Sequence, residues 1–377
     1  MSRKLRLTQI VFDLNGGGME TLVAEMAARW QGSDITMSVI TLSGRVGRVG
    51  ESVRRIVDQY HVLKLTPGLS MLAPIALVRA IRATRPDVVH LHSGAWYKGA
   101  LAARLARVPR IIFTEHGREH DDPALVRWLD RRAGAWTSTV VAVSERLHEY
   151  LVRVVGISKE RVVTVPNGVD TAIFTPGPAS AEIKRSLGLP ADALVLGSVG
   201  RLEPVKAYSR LVEAYAQLRG ENHGPPLVLV IYGEGTDRPT VEATVDRLGL
   251  KDHVRLPGWT TSPADGYRLL DVFAMTSRSE GMSVSLMEAM SCGCCPVVTN
   301  VGSNAEVLGP ELESQVIADG DGEALLRALR EVLASKARRA ELGGLARLHA
   351  EQAHSLSRML ADYERLYRGE PVTGTPA

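Results

Sequence analysis

Short apolar runs alternate with longer stretches of helical period along most of this chain, and that alternation restricts its fold more than any other feature. In the first half, LRLTQIVF (5–12), ITMSVIT (35–41), DVVHLH (87–92), RIIFTE (110–115), TVVAV (139–143) and RVVTVP (161–166) read as buried strands. Between them, METLVAEMAARW (19–30), PIALVRAIRA (74–83), YKGALAARLA (97–106) and ERLHEYLVRV (145–154) read as helices. A parallel strand needs a long crossover to reach its neighbour, so this alternation predicts a parallel sheet covered on both faces.

The pattern halts at 167–192, where Pro176, Gly177, Pro178 and Gly188 mark a linker, and then resumes. ALVLGSVG (193–200), PLVLVIYG (226–233), HVRLPG (253–258), DVFAMTS (271–277) and CPVVTN (295–300) read as strands. Helices fall near 206–219, 237–248 and 282–291, and the tail over 322–368 is helical. With 377 residues, and domains of roughly 100–200 residues, the expectation is an α/β protein of two doubly wound, Rossmann-like domains. The expected boundaries are 1–177 and 178–354, with a last segment at 355–377. Ligands of such domains bind in the cleft at the carboxyl ends of the strands.

Hydrophobic residues make up 45% and charged ones 23%, which excludes a disordered or fibrous chain. The net charge of +3 hides a split: 24 basic and 16 acidic residues lie in 1–177, against 21 and 26 in 178–377. A basic first half points either to a phosphate-bearing or anionic partner, or to an arginine-rich solvated surface. Aromatics are 5%, too few for a stacking platform, so nucleic acid is not an expected partner. The apolar stretch in MSRKLRLTQIVF is too short for a signal peptide, and no run of about 18 apolar residues exists, so a soluble, cytoplasmic protein is expected. Cys292, Cys294 and Cys295 form no disulfide framework and are too crowded for a metal site; small residues at a helix end describe them better.

Several loops after strands carry chemistry. Asp13-Leu14-Asn15-Gly16-Gly17-Gly18 links the first strand to a helix, either as an anion cradle of backbone amides or simply as a sharp turn. It is not the dinucleotide fingerprint. His90, His92 and His116 lie at strand ends, where a metal site, a structural histidine or a substrate contact all remain open; His116 is the best placed for a polar substrate. Arg201 and Lys206 follow the strand at 193–200 and suit a diphosphate, with an ion pair to Glu203 as the competing reading. In SRSEGMSVSLMEAM, Glu280 caps the turn from strand to helix, and Gly281, Met282 and Ser283 offer free amides. Glu288, eight residues on, lies about 80° round that helix, so both carboxylates can approach one extended ligand. Leu286, Met287, Ala289 and Met290 flank Glu288, and a glutamate among them is costly without a partner.

Gly17-Gly18-Met19-Glu20, GRLEPVK (200–206) and the Glu280–Glu288 pair, in this order, make the chain resemble the retaining glycosyltransferases of family 4 with GT-B architecture. VAVSE (141–145) and VPNGVD (165–170) look like that family's recurring segments, so the likeness spans nearly the whole chain. The resemblance implies a UDP- or GDP-linked sugar donor bound by the second domain and a glycan or lipid-linked acceptor held by the first. It also implies retention and no essential metal. By position, Arg201 and Lys206 would bind the diphosphate, and Glu288 the ribose. Glu280, Gly281, Met282 and Ser283 would hold the sugar and phosphate, and Gly17 and Gly18 would let their loop close over the diphosphate. His116 would contact the sugar near the reacting carbon, and the last helix would cross back to the first domain.

Two positions depart from the family pattern. Ala207 and Ser283 stand where glycine and proline are common, which bears on loop geometry rather than on charge. The rival readings are another nucleotide-sugar enzyme of this architecture, such as an epimerase, and a non-catalytic nucleotide-sugar-binding module. Arg127, Trp128, Arg131, Arg132 and Trp136 form either a peripheral membrane patch or an ordinary basic helix face.

Overall fold

The computed structural model describes residues 4–65, 73–118, 122–221 and 224–372. They form two compact units, Met1–Asn167 with Arg358–Ala377, and Gly168–Ser357. The first division thus falls at Asn167 rather than at 177. The carbonyls of Thr171 and Phe174 accept from Arg347 at 3.0 and 2.7 Å, and that of Thr175 accepts from Arg268 at 2.8 Å. Both arginines belong to the second unit, so the backbone of this segment is satisfied there. Likewise Ser355 still bridges to Val169, and the return to the first unit begins at Arg358 rather than at 355.

The first unit is built on a seven-stranded parallel sheet of order β3-β2-β1-β4-β5-β6-β7. Its strands are β1 (Leu5–Val11), β2 (Ile35–Thr41), β3 (Gln59–Val62), β4 (Val88–His92), β5 (Arg110–Glu115), β6 (Thr139–Ala142) and β7 (Val162–Thr164). The second unit has a six-stranded parallel sheet of order β10-β9-β8-β11-β12-β13. Its strands are β8 (Leu194–Val199), β9 (Leu227–Tyr232), β10 (Val254–Gly258), β11 (Val272–Met275), β12 (Cys295–Thr299) and β13 (Val316–Ile317). Central strands are buried on both faces: Ile10, Val89, Ile112, Leu196, Val230 and Phe273 are all fully enclosed. Each such side chain contributes about 1.5–3 kcal/mol by leaving water, which is why these runs read as continuously apolar.

Strand order reverses between β1 and β4 in one sheet and between β8 and β11 in the other, and loops at such switch points form crevices. The glycine turn follows β1, His92 ends β4, Arg201 and Lys206 follow β8, and Glu280 follows β11. The apparent single helix at 145–154 is an α-helix, Glu145–Tyr150, running into a π-helix, Leu151–Val155. Short elements escaped the sequence pattern: the helices Arg48–Arg54, Ala181–Ser186, Pro263–Arg268 and Asn304–Leu308, and the edge strands β3 and β13. Each is too short to repeat an apolar period, or lies at a sheet edge where burial is partial.

Candidate functional site

In the second unit, the loop after β8 is held by glycines of a neighbouring turn. A Cβ on Gly233 would lie 1.9 Å from the Gly200 carbonyl oxygen, and one on Gly235 would lie 2.1 Å from that of Leu202. This places Lys206 at the end of a short 3₁₀ turn, Pro204–Lys206, which the left-handed residue Ala207 closes at φ 50°. That conformation costs a non-glycine residue about 1–2 kcal/mol, which glycine would avoid. Across the site, Gly302 lies at φ +55°, with room for no Cβ against the Glu280 carbonyl oxygen 2.0 Å away.

The expected roles of Lys206 and Glu280 meet a geometric fact: the two are paired with each other. Lys206 Nζ donates to Glu280 Oε1 at 2.7 Å and to Oε2 at 2.8 Å, and the side chains are 18% and 7% exposed. Ser277 Oγ also donates to Glu280 Oε1, at 2.5 Å. An ammonium has three N–H groups, so one stays available for an anion. The competing pair of Arg201 with Glu203 does not form: Glu203 accepts from Thr236 at 2.7 Å, and Arg201 is exposed with no ion-pair partner among the described residues.

Glu288 has the partner its apolar helix demanded. Tyr267 Oη, fully buried, donates to Glu288 Oε2 at 2.7 Å. Burial and the adjacent carboxylate push the Tyr267 phenol well above its ordinary range, so it remains a donor. The helix Val284–Ser291 starts with Ser283 as its cap, whose Oγ accepts from the Leu286 amide. Serine thus caps the helix start through its side chain, which proline could not do. Cys292, Cys294 and Cys295 are buried free thiols, and burial pushes Cys292 and Cys295 up to about 12, away from thiolate chemistry. Among the described residues, no three His, Cys, Asp or Glu side chains converge as a metal ion would require.

In the first unit, the glycine turn leads into the helix Gly18–Trp30. Gly17 has extended backbone, and a Cβ there would meet Glu20 Oε2 at 2.6 Å. The acidic side chain thus folds over the helix start, where the dipole favours it. Beside this turn, alternate residues of β1, β4 and β5 put Gln9, His90, His92 and Thr114 on one face of the sheet. His90 Nδ1 lies 2.8 Å from Tyr367 Oη, and its Nε2 lies 2.8 Å from Thr114 Oγ1, which lies 3.0 Å from Tyr363 Oη. His92 Nε2 lies 2.7 Å from Gln9 Oε1, and its Nδ1 lies 2.8 Å from His116 Nε2. His90 is thereby a structural histidine, and His116 is joined to the interior through His92. Burial pushes His116 down to about 3 and holds His90 and His92 well below their ordinary range, so all three rings are neutral. The tyrosines, one turn apart on the last helix, Leu356–Arg368, gave no signal in the sequence because they lie hundreds of residues from their partners.

A cavity of about 530 Å³ opens within this unit. Trp96, Phe113 and Val126 form an apolar wall, with Glu115, Arg118 and Asp130 at its polar side. Arg118 bridges Glu115 and Asp130, each at 2.8 Å, and also reaches Asp122. Burial nonetheless lifts Asp130 to about 6 against the pull of Arg118. The helix Ala124–Trp136 lines this cavity with one face and exposes Leu125, Trp128, Arg131 and Arg132 on the other. Arg132 lies over the Trp128 ring at 5.2 Å, whereas Trp136 turns in against Tyr97 at 5.7 Å and leaves the expected patch. No helix among the described residues is long and apolar enough to cross a membrane.

Comparison with known proteins gives the same two halves. A family model described as glycosyl transferases group 1 matches residues 179–349, and one described as Glycosyltransferase Family 4 matches residues 16–173. A D-inositol 3-phosphate glycosyltransferase from Jonesia denitrificans is 30% identical, covering 93% of this chain and 92% of its own. An Escherichia coli UDP-Gal:alpha-D-GlcNAc-diphosphoundecaprenol alpha-1,3-galactosyltransferase is 28% identical, with 71% of each chain covered. Among solved structures, Anabaena HepE in complex with UDP superposes with a TM-score of 0.82 at 19% identity, over 97% of this chain and 100% of that one.

Proposed function

The chain belongs to the family 4 glycosyltransferases of GT-B architecture, and we propose that it is a hexosyltransferase that moves a sugar from a nucleotide donor to an acceptor hydroxyl with retention. The single observation that carries the donor reading is the loop cluster of the second unit. Arg201 is exposed with no ion-pair partner among the described residues, Lys206 keeps one N–H beyond its bonds to Glu280, and Glu288 is oriented by Tyr267. Arg201 and Lys206 meet the diphosphate, Glu288 takes the ribose hydroxyls, and Glu280, with the segment Gly281–Ser283, orients the sugar. UDP is the first nucleotide to test, because structural neighbours were solved with UDP and with UDP-glucose.

Breaking the sugar–phosphate bond leaves negative charge on the departing diphosphate, and in this reading Arg201 and Lys206 meet that charge as it develops. They supply this stabilisation without a metal ion, so chelation with EDTA leaves the rate unchanged in this reading. The bond from the anomeric carbon to phosphate breaks, the bond to the acceptor oxygen forms on the same face, and the acceptor proton passes to the diphosphate. Proton NMR of slow donor hydrolysis tests this without knowing the acceptor. The first-formed sugar should keep the donor's anomeric configuration, and an inverted one contradicts the proposal.

The acceptor is assigned to the first unit and its cavity, a size that suits a glycan or the sugar end of a lipid-linked substrate. One observation favours the lipid-linked case. The exposed arc of Ala124–Trp136 carries Leu125 and Trp128 with Arg131 and Arg132, and the helix's one acid, Asp130, is on the buried side. Such a face complements an anionic lipid surface at the cytoplasmic leaflet. Vesicles containing phosphatidylglycerol should co-sediment the protein at low salt and release it at high salt. Absence of low-salt binding ends this part of the reading.

A further inference from the structure

Both glutamates of the second unit accept a hydrogen bond from a hydroxyl that is itself out of reach of any ligand. Ser277 is 1% exposed and Tyr267 is fully enclosed. Ser277 Oγ donates to Glu280 Oε1 at 2.5 Å, and Tyr267 Oη donates to Glu288 Oε2 at 2.7 Å. Each hydroxyl has a single proton, so each is committed to its carboxylate. Both donors are also held from behind. The Ser277 carbonyl oxygen accepts from Thr299 Oγ1 at 2.7 Å, at the end of β12. The Tyr267 ring lies edge-on to Phe174 at 5.9 Å and packs against Phe273 at 6.0 Å, and its neighbour Arg268 donates to the Thr175 carbonyl at 2.8 Å.

A glutamate has three side-chain torsions, and a carboxylate left to itself samples several orientations. On Glu280 the bonds already made decide which oxygen faces a ligand. Lys206 Nζ touches both oxygens, at 2.7 and 2.8 Å, and does not distinguish them. Ser277 does, by adding a second bond to Oε1. Each carboxylate oxygen has two acceptor sites, so Oε1 is filled and Oε2, bonded to Lys206 alone among the described residues, keeps one. A sugar hydroxyl that donates to Glu280 therefore meets Oε2. On Glu288, Tyr267 takes Oε2 and so fixes the plane of the carboxylate. Burial and that carboxylate keep the phenol protonated and donating.

We propose that Ser277 and Tyr267 are positioning residues, one for each carboxylate: Ser277 aims a single oxygen of Glu280 at the donor sugar, and Tyr267 aims Glu288 at the ribose. This rests on the reading of the second unit as the donor-binding half of a glycosyltransferase, and it gives each buried hydroxyl a separate part of that donor. Recognition of the sugar and of the ribose can then be weakened independently. A hydroxyl that only satisfied its neighbour would affect stability but not the choice between ligands.

The test is isothermal titration calorimetry on the full chain and on its Ser277→Ala and Tyr267→Phe variants, each of which removes one oxygen atom. The probes are UDP, GDP and ADP, their 2′-deoxy forms and their glucose conjugates, and the base that binds the parent most tightly is carried through. Ser277→Ala should weaken the glucose conjugate roughly three- to tenfold, the range one hydrogen bond supplies, and leave the free nucleotide unchanged. Tyr267→Phe should weaken nucleotide and conjugate by one common factor and narrow the parent's preference for ribose over 2′-deoxyribose. The comparison between ligands decides, so a lower melting temperature in either variant does not obscure the result. Equal weakening of nucleotide and conjugate by Ser277→Ala overturns its assignment to the sugar. A parent without a ribose preference, or the same preference in Tyr267→Phe, overturns the assignment to the ribose. Parental affinities in both variants overturn the proposal as a whole while leaving the donor reading intact. A parent that binds none of the three nucleotides contradicts the donor reading itself, and the proposal falls with it.

Discussion

The two units carry polar clusters at equivalent places, the switch points of their sheets, yet the clusters work by opposite physics. In the second unit the side chains are charged and sit on loops: Lys206 against Glu280, with an exposed Arg201 nearby in sequence. In the first, Gln9, His90, His92, Thr114, Tyr363 and Tyr367 are neutral, buried and mounted on strands or on the returning helix. Charged loops suit a ligand that brings its own charge, such as a diphosphate. A neutral, pre-ordered network suits a ligand recognised by hydroxyl groups. The difference also separates how each cluster fails, because an ion pair responds to salt and charge removal whereas the network responds to pH.

The sharpest way to break the charged side is mechanical. Gly302→Ala places a methyl against the Glu280 carbonyl oxygen at positive φ, and it should cost on the order of 3 kcal/mol, read as a lower melting temperature. An unchanged melting temperature would mean the loop yields freely. The neutral side should break with acid. The folded-state pKa values of His90 and His92 lie below the ordinary 6.5, so their stabilisation is present above pH 6.5 and lost as pH falls. Each ring contributes a slope of up to about 1.4 kcal/mol per pH unit below that point. Asp130 runs the other way: with its pKa raised from 3.8 to about 6, its contribution is lost as pH rises through that window. Asp130→Asn should therefore steepen the acid-induced loss of stability, measured by urea melts from pH 7 to 4.

Catalysis gives the next effect. Lys206→Ala and Glu288→Ala should each lower kcat/KM for the donor by at least about tenfold, about 1.4 kcal/mol, with the fold intact by circular dichroism. Near-parental activity in both would show that the site lies elsewhere. The smallest expected effect is a gain: Ala207→Gly relieves the left-handed conformation and should stabilise by up to about 1 kcal/mol, seen in the denaturation midpoint.

These differences also explain what could be read from the amino acids alone. The strands were legible because double burial leaves continuous apolar runs, and Ile35–Thr41 and Arg110–Glu115 match to the residue. Glu280 and Glu288 stand out in the sequence by their spacing and, for Glu288, by its apolar neighbours. Their partners Ser277 and Tyr267 were less so, although a glutamate among Leu286, Met287 and Ala289 already required one. The pairing of Lys206 with Glu280 is not visible in the sequence, because the two lie 74 residues apart and only the fold brings them together. Gln9, Tyr363 and Tyr367 were invisible, since only the fold brings a residue of the first strand to the last helix. The domain boundary moved for a related reason: the carbonyls of 171–175 are satisfied by arginines far along the chain.

The central claim is that the second unit binds a nucleotide sugar through Lys206 and Glu288. It is tested most directly by thermal shift with UDP, GDP, ADP and their sugars, on the parent chain and on Lys206→Ala and Glu288→Ala. A ligand of the folded state at a hundredfold excess over its Kd adds about 2.7 kcal/mol to stability. The account predicts that one nucleotide family raises the melting temperature of the parent and that both substitutions abolish or sharply reduce the rise. A chain that responds to no nucleotide, or variants that respond as fully as the parent, would contradict it.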